Sequence, residues 1–143
     1  MQMYENSKIM ATSKVEYLGS LRTKCTHLKS GTEIITDAPA DNNGKGEAFS
    51  PTDLVAAAYA SCMLTIVGIY CDNHSIDFKH GVAEVNKIMG NNPRRIEKLE
   101  IVIDFSENNW DESIHQRIIN AAETCPVART IENDVEVMFE YQF

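Results

Sequence analysis

At 143 residues, with 43% hydrophobic and 24% charged side chains, the chain has the size and composition of one globular domain with its own core. Its 21 acidic residues against 13 basic ones leave a formal net charge of -8, which argues against a nucleic-acid partner because a phosphate-binding face needs basic side chains. The N-terminal stretch lacks the apolar run of a secretory signal, and no segment is expected to reach the roughly 18–20 apolar residues of a membrane span, so a cytoplasmic protein with reduced thiols is expected.

In chain order, residues 1–12 are expected to form a mobile start. From Lys14 to Thr36 the pattern reads as short strands around Val15 and Tyr17, then Cys25, then Ile34 and Ile35, with turns at Gly19 and at Ser30-Gly31. The stretch DAPADNNGKGE, Asp37 to Glu47, has the Gly, Asn, Asp and Pro content of a flexible loop. Ser50-Pro51-Thr52-Asp53 then supplies a capping residue, a proline suited to the first helical position and an acid able to cap back. The following LVAAAYASCMLTIVGIY, Leu54 to Tyr70, is apolar or small on every side, which predicts a buried central helix.

Beyond Asn73 the period changes to two. Val82 to Met89 reads as a strand, and Leu99, Ile101, Ile103 and Phe105 alternate with Glu100, Val102 and Asp104. Gly90-Asn91-Asn92-Pro93 between them predicts a hairpin. Trp110, Ile114, Ile118 and Ala122 recur every fourth residue and predict an amphipathic helix. Cys125-Pro126 opens a short helical segment, PVARTIEN, and Val135, Val137, Phe139 and Tyr141 predict a closing strand. Strands, a buried helix, a hairpin, a helix and a strand make an α+β domain, expected to span residues 1–143 as a single unit.

Four cysteines carry the chemistry of interest. By residue type alone Cys62 reads as a small core residue of the central helix, and Cys71, about half a rotation away, faces elsewhere and reads as structural. Cys25, in a strand, also reads as structural. Cys125 differs because it directly precedes a proline, which makes it a helix N-cap; beside unpaired N–H groups its thiol pKa is expected to fall. There is no C-x-x-C pair and no ligand spacing among His27, His74, His80 and His115, so no metal is expected. Neither a G-x-G-x-x-G turn, a Walker loop nor a nucleophile elbow is present, and no cofactor is expected.

The segment SPTDLVAAAYASCMLTIVGIY, Ser50 to Tyr70, and the segment TCPVARTI, Thr124 to Ile131, resemble the two cysteine motifs of the OsmC/Ohr family of osmotically induced and organic hydroperoxide resistance proteins. The resemblance implies an OsmC-like α+β fold, a curved antiparallel sheet wrapped around a long central helix, assembled as an intertwined homodimer. It implies an organic hydroperoxide as substrate, with Cys62 attacking the peroxide, Cys125 resolving the sulfenic acid to a disulfide, and a dithiol reductant (a lipoylated or thioredoxin-like protein) restoring the thiols. A cation near Cys62 is also implied, and Arg22 is the only arginine before the helix. On residue type alone Arg22 reads equally as a solvated strand-end charge.

The sequence departs from the family pattern at one position. Where characterised members carry a Glu directly after the helix-start proline, paired with the arginine, this chain has Thr52. Glu47 or Asp53 is then the expected acidic partner of Arg22, and Thr52 and Tyr59 are expected next to the site or its substrate pocket. The departure leaves an alternative open: a non-catalytic member of the fold that binds an apolar or thiol-reactive small molecule at a dimer interface.

Overall fold

The computed structural model describes residues 10–143. The expected mobile start at residues 1–12 lies outside the described residues for its first nine positions. Thr12 is tied down, its carbonyl accepting the Leu28 N–H at 3.1 Å. The chain groups into two compact units, a first ending at Pro51 and a second covering Thr52–Phe143.

The first unit is a three-stranded antiparallel sheet in the order β1-β2-β3, with β1 at Ser13–Gly19, β2 at Arg22–His27 and β3 at Glu33–Asp37. The β1–β2 turn is tight: Ser20 and Leu21 both take left-handed φ angles, 54° and 63°, after Gly19 at 84°. That turn sets the β1–β2 register, with Val15 beside Cys25; in the β2–β3 ladder Cys25 lies beside Ile34 and Arg22 faces Asp37. The segment after Asp37, expected to be a flexible loop, is folded on itself. It forms a 3-10 turn at Ala40–Asn42, and Gly46 N–H returns to the Ala38 carbonyl at 3.1 Å. Gly44 passes so close to Ala38 that a Cβ there would sit 1.7 Å from the Ala38 oxygen, so only glycine fits.

The second unit carries the apolar core. Helix α1 runs Pro51–Asn73, with proline at its first position as the sequence predicts. It extends three residues past Tyr70 and stops where Ser75 turns left-handed (φ 53°) and the Ile76 N–H returns to the Cys71 carbonyl at 3.0 Å. At 23 residues it is, by length and composition alone, long and apolar enough to cross a membrane, where no such segment was expected. One face of it, Ala56, Tyr59, Ala60, Met63, Val67 and Cys71, is buried in the unit's core.

Against that face lies a second three-stranded sheet, β4 at Val82–Gly90, β5 at Arg95–Asp104 and β6 at Glu136–Gln142. β4 and β5 form the expected antiparallel hairpin, and Leu99, Ile101 and Ile103 of β5 are at most 1% exposed. Each such side chain contributes about 1.5–3 kcal/mol on burial. β6 joins β5 in parallel, where an antiparallel arrangement is implied by the family resemblance. The reason is the crossover between them: α2 (Glu112–Ala122) and α3 (Pro126–Ile131) return the chain to the starting end of β5. Trp110 precedes α2 rather than opening it; Asp111 is the N-cap, its side chain accepting the Ser113 N–H at 2.9 Å.

Candidate functional site

Three clusters hold the residues singled out by sequence, two in the second unit and one in the first. The second unit brings Cys62 and Cys125 together. Cys62 is half-buried on α1, and Cys125 is fully buried ahead of α3. Their thiols are close enough for each to feel the other's charge, and neither is in a disulfide. Cys125 is the α3 N-cap, its sulfur accepting the Ala128 N–H at 3.2 Å. The expected fall in its pKa does not follow. Burial pushes the thiol up and outweighs the Ala128 and Val127 N–H groups that pull it down, with the neighbouring Cys62 adding to the rise. Cys71 is also fully buried and its thiol is pushed up, by burial first and then by Asp72.

Tyr59 lies one turn before Cys62 on α1 and is 3% exposed. Its hydroxyl is pushed up to about 12, mainly by burial and then by the charges of Cys125, Glu132 and Glu123. With Glu123, Glu132, Ala128, Val135, Val137 and Phe139 it lines a pocket of about 230 Å³. Tyr141 donates to Glu123 Oε1 at 3.0 Å, and burial raises its pKa as well. Sequence reasoning missed this pair. Tyr141 looked like one more alternating strand residue, and nothing marked Glu123 except its place two residues before Cys125.

Thr52 and Asp53, at the start of α1, meet Lys87 of β4: Lys87 Nζ donates to Thr52 Oγ1 at 2.8 Å and stands 2.8 Å from Asp53 Oδ1. Lys87 was not anticipated, since its strand period only marks it as one position of β4.

The first unit holds Arg22. Its Nη2 pairs with Glu47 and lies 3.4 Å from Asp37 Oδ2. These two acids hold the guanidinium above its ordinary pKa, the Glu47 hydrogen bond first and then the Asp37 charge. Asp37 was also missed. Its signal was the β2–β3 register, which makes it the cross-strand partner of Arg22; that register is set by how the turn between the two strands closes, with the His27 N–H on the Thr32 carbonyl at 2.8 Å, a detail that the Ser30-Gly31 turn signal does not fix. Among the described residues, no group of three or more His, Cys, Asp or Glu side chains is arranged to hold a metal.

Comparison with known proteins gives consistent relatives. The profile of the family described as OsmC-like protein matches residues 44–140. The structure of a candidate osmotic-stress-induced and detoxification-response protein from Psychrobacter arcticus is 48% identical, covers 98% of this chain and all of its own, and superposes with a TM-score of 0.88. An organic hydroperoxide resistance protein OsmC from Legionella pneumophila shares the fold at 16% identity, with 95% of this chain and 100% of that one covered and a TM-score of 0.73. OhrB of Bacillus subtilis does so at 20% identity, covering 94% of this chain and 100% of its own, with a TM-score of 0.65. No curated protein matches the chain.

Proposed function

Because the chain belongs to the OsmC-like protein family, we propose that it is a thiol peroxidase that reduces organic hydroperoxides in stress defence. The observation that supports this most directly is the proximity of the Cys62 and Cys125 thiols, near enough for Cys62 to raise the Cys125 pKa. Two neighbouring thiols, one half-buried and one fully buried, suit a pair in which the first meets the oxidant and the second resolves it. The names of the Legionella and Bacillus neighbours, both organic hydroperoxide resistance proteins, point to the same chemistry.

In this reading the Cys62 thiolate attacks the terminal oxygen of R–O–O–H. The O–O bond breaks, Cys62 becomes a sulfenic acid, and the alkoxide takes a proton to leave as R–OH. The Cys125 sulfur then attacks the sulfenic sulfur, an S–S bond forms, and the displaced hydroxide leaves as water with the Cys125 proton. A dithiol protein reduces the disulfide. The family resemblance implies Arg22 as the cation for the Cys62 thiolate, and within its own unit Arg22 is paired with both Asp37 and Glu47. Tyr59 and the apolar side chains around it favour a substrate with an apolar tail.

The protein acts in the cytoplasm as a homodimer in this reading. A stripe of α1 supports the dimer: Val55, Ala58, Ser61, Thr65 and Ile69 are exposed along one side of a helix whose opposite side is core.

The second reading is a non-catalytic pocket protein. It is favoured by Thr52 and Asp53, which engage Lys87 at the position where the family's Glu is implied. Stoichiometric cumene hydroperoxide added to reduced protein separates the two. Rapid loss of two thiols with a Cys62–Cys125 link found by peptide mass spectrometry is expected, together with no turnover in Cys62→Ser. Slow oxidation scattered over all four cysteines would reject the peroxidase.

A further inference from the structure

We propose that Asp37 is a positioning residue for Arg22, and that it, more than Glu47, determines which N–H groups of the guanidinium remain available to a reacting sulfur or oxygen. The inference rests on the peroxidase reading above, in which Arg22 supports the Cys62 thiolate.

Three observations carry it. The two acids share one nitrogen: Asp37 Oδ2 and the Glu47 carboxylate both meet Arg22 Nη2. A carboxylate gripping the planar guanidinium in the usual two-point manner covers a whole edge. Here a single nitrogen takes both charges, so Nε and Nη1 are spent on neither acid and keep their donors for a third group.

The two acids also differ in burial. The Asp37 side chain is 1% exposed and that of Glu47 is 60% exposed. An exposed pair is screened by water and holds a flexible arginine weakly, however short the contact, whereas a buried carboxylate acts through a lower dielectric. Asp37 is also fixed in place, as the cross-strand partner of Arg22 at the end of the β2–β3 ladder. Its Oδ2 accepts the backbone N–H of Glu47 at 3.0 Å. Asp37 therefore anchors both the arginine and the chain that delivers the second acid, within the tight fold that Gly44 permits.

Finally, Asp37 Oδ1 is buried with no hydrogen-bond partner. Buried polar atoms are normally satisfied, and a carboxylate half-satisfied in the interior is unfavourable for stability alone. An isosteric amide or a small apolar residue would relieve that cost. Retaining the charge makes sense if its task is to aim Arg22.

The test is the pH dependence of Cys62 alkylation by iodoacetamide in the full-length protein, read at the Cys62 peptide by mass spectrometry, with peroxide consumption measured in parallel. Arg22→Met is expected to move the Cys62 profile to higher pH. Asp37→Asn should move it the same way by about one pH unit and slow peroxide consumption about 10-fold, while Glu47→Gln should change the rate less than about 3-fold, as for a screened surface pair. Asp37→Glu should recover part of the loss.

The sign is decisive. Were Asp37 only a negative charge near the site, its removal would ease ionisation and move the profile to lower pH, overturning the proposal. An unmoved profile in Asp37→Asn beside a shifted one in Arg22→Met overturns it too, and leaves the peroxidase reading intact. No shift even in Arg22→Met removes Arg22 from the mechanism and the proposal with it. If Asp37→Asn does not fold, Glu47→Gln decides: an effect as large as that of Arg22→Met would assign the positioning to Glu47 instead.

Discussion

The two units each bury a polar side chain on a loop or strand end, and they treat it differently. Asn108 in the second unit is fully paired: its Oδ1 accepts the N–H groups of Lys79 at 2.7 Å and His80 at 3.2 Å, and its Nδ2 donates to the carbonyls of His80 at 2.7 Å and Phe105 at 2.8 Å. It acts as a piece of backbone, tying the segment before β4 to the end of β5. Asp37 in the first unit leaves one oxygen unpaired and shares the other between a guanidinium and an amide. The surroundings differ in the same sense. Asn108 belongs to a unit with a closed apolar core, whereas the described buried residues of the first unit, Thr36, Asp37 and Ser50, are polar, and Val15, Tyr17, Ile34 and Ile35 on its sheet are exposed. A satisfied buried polar group marks architecture; a half-satisfied one, built into a sheet that has little core of its own, marks a group kept for what it does.

The comparison can be broken most forcefully at the core. Phe105 is 1% exposed and packs its ring against Phe78, Trp110 and Phe143. Phe105→Ala is expected to cost about 3–5 kcal/mol in urea unfolding, while Val15→Ala, at a position 60% exposed, should stay within about 0.5 kcal/mol. Equal losses would mean the first sheet is as tightly cored as the second. Asn108→Ala comes next, at about 2–3 kcal/mol, because it strands buried backbone groups. Asp37→Asn should lower stability by less than about 1 kcal/mol: losing the pairing with Arg22 is offset by no longer burying a charge, and Arg22 keeps Glu47. If the two substitutions cost the same, the distinction between architecture and function fails. Asp111→Ala removes the α2 cap and should cost about 1 kcal/mol.

The smallest effect is a titration. Cys125, Cys71 and Tyr59 all have pKa values raised in the folded protein, chiefly by burial. In each the unfolded chain loses its proton first as pH rises, so the stabilisation is complete below the ordinary pKa and declines as pH climbs through the folded value. Stability should therefore begin to fall near the ordinary thiol pKa of 9.0 and fall further between 10.0 and about 12 as Tyr59 titrates. Thermal melts of a Cys71→Ala, Cys125→Ala protein should lose only the first part of that decline; an unchanged alkaline profile would mean the thiols do not contribute.

Most of the architecture was legible along the chain. Proline at the head of an all-apolar run marks α1, strict alternation marks β5, and Cys-Pro marks the α3 cap, because helix entry and strand period depend on near neighbours only. The approach of Cys62 to Cys125 was implied by a family resemblance and could not be derived from spacing, since 63 positions separate them and only the packing of α1 against the crossover decides it. The sign of the Cys125 shift was out of reach for the same reason: the N–H groups that lower it are local, and the burial that raises it is assembled from elements far apart in sequence. Asp37 is the clearest case. Its identity is plain in the sequence, but its partnership with Arg22 depends on strand register, and its unpaired oxygen depends on everything that closes over it. Local chemistry is written residue by residue; the balance between desolvation and charge exists only once the chain has folded around it.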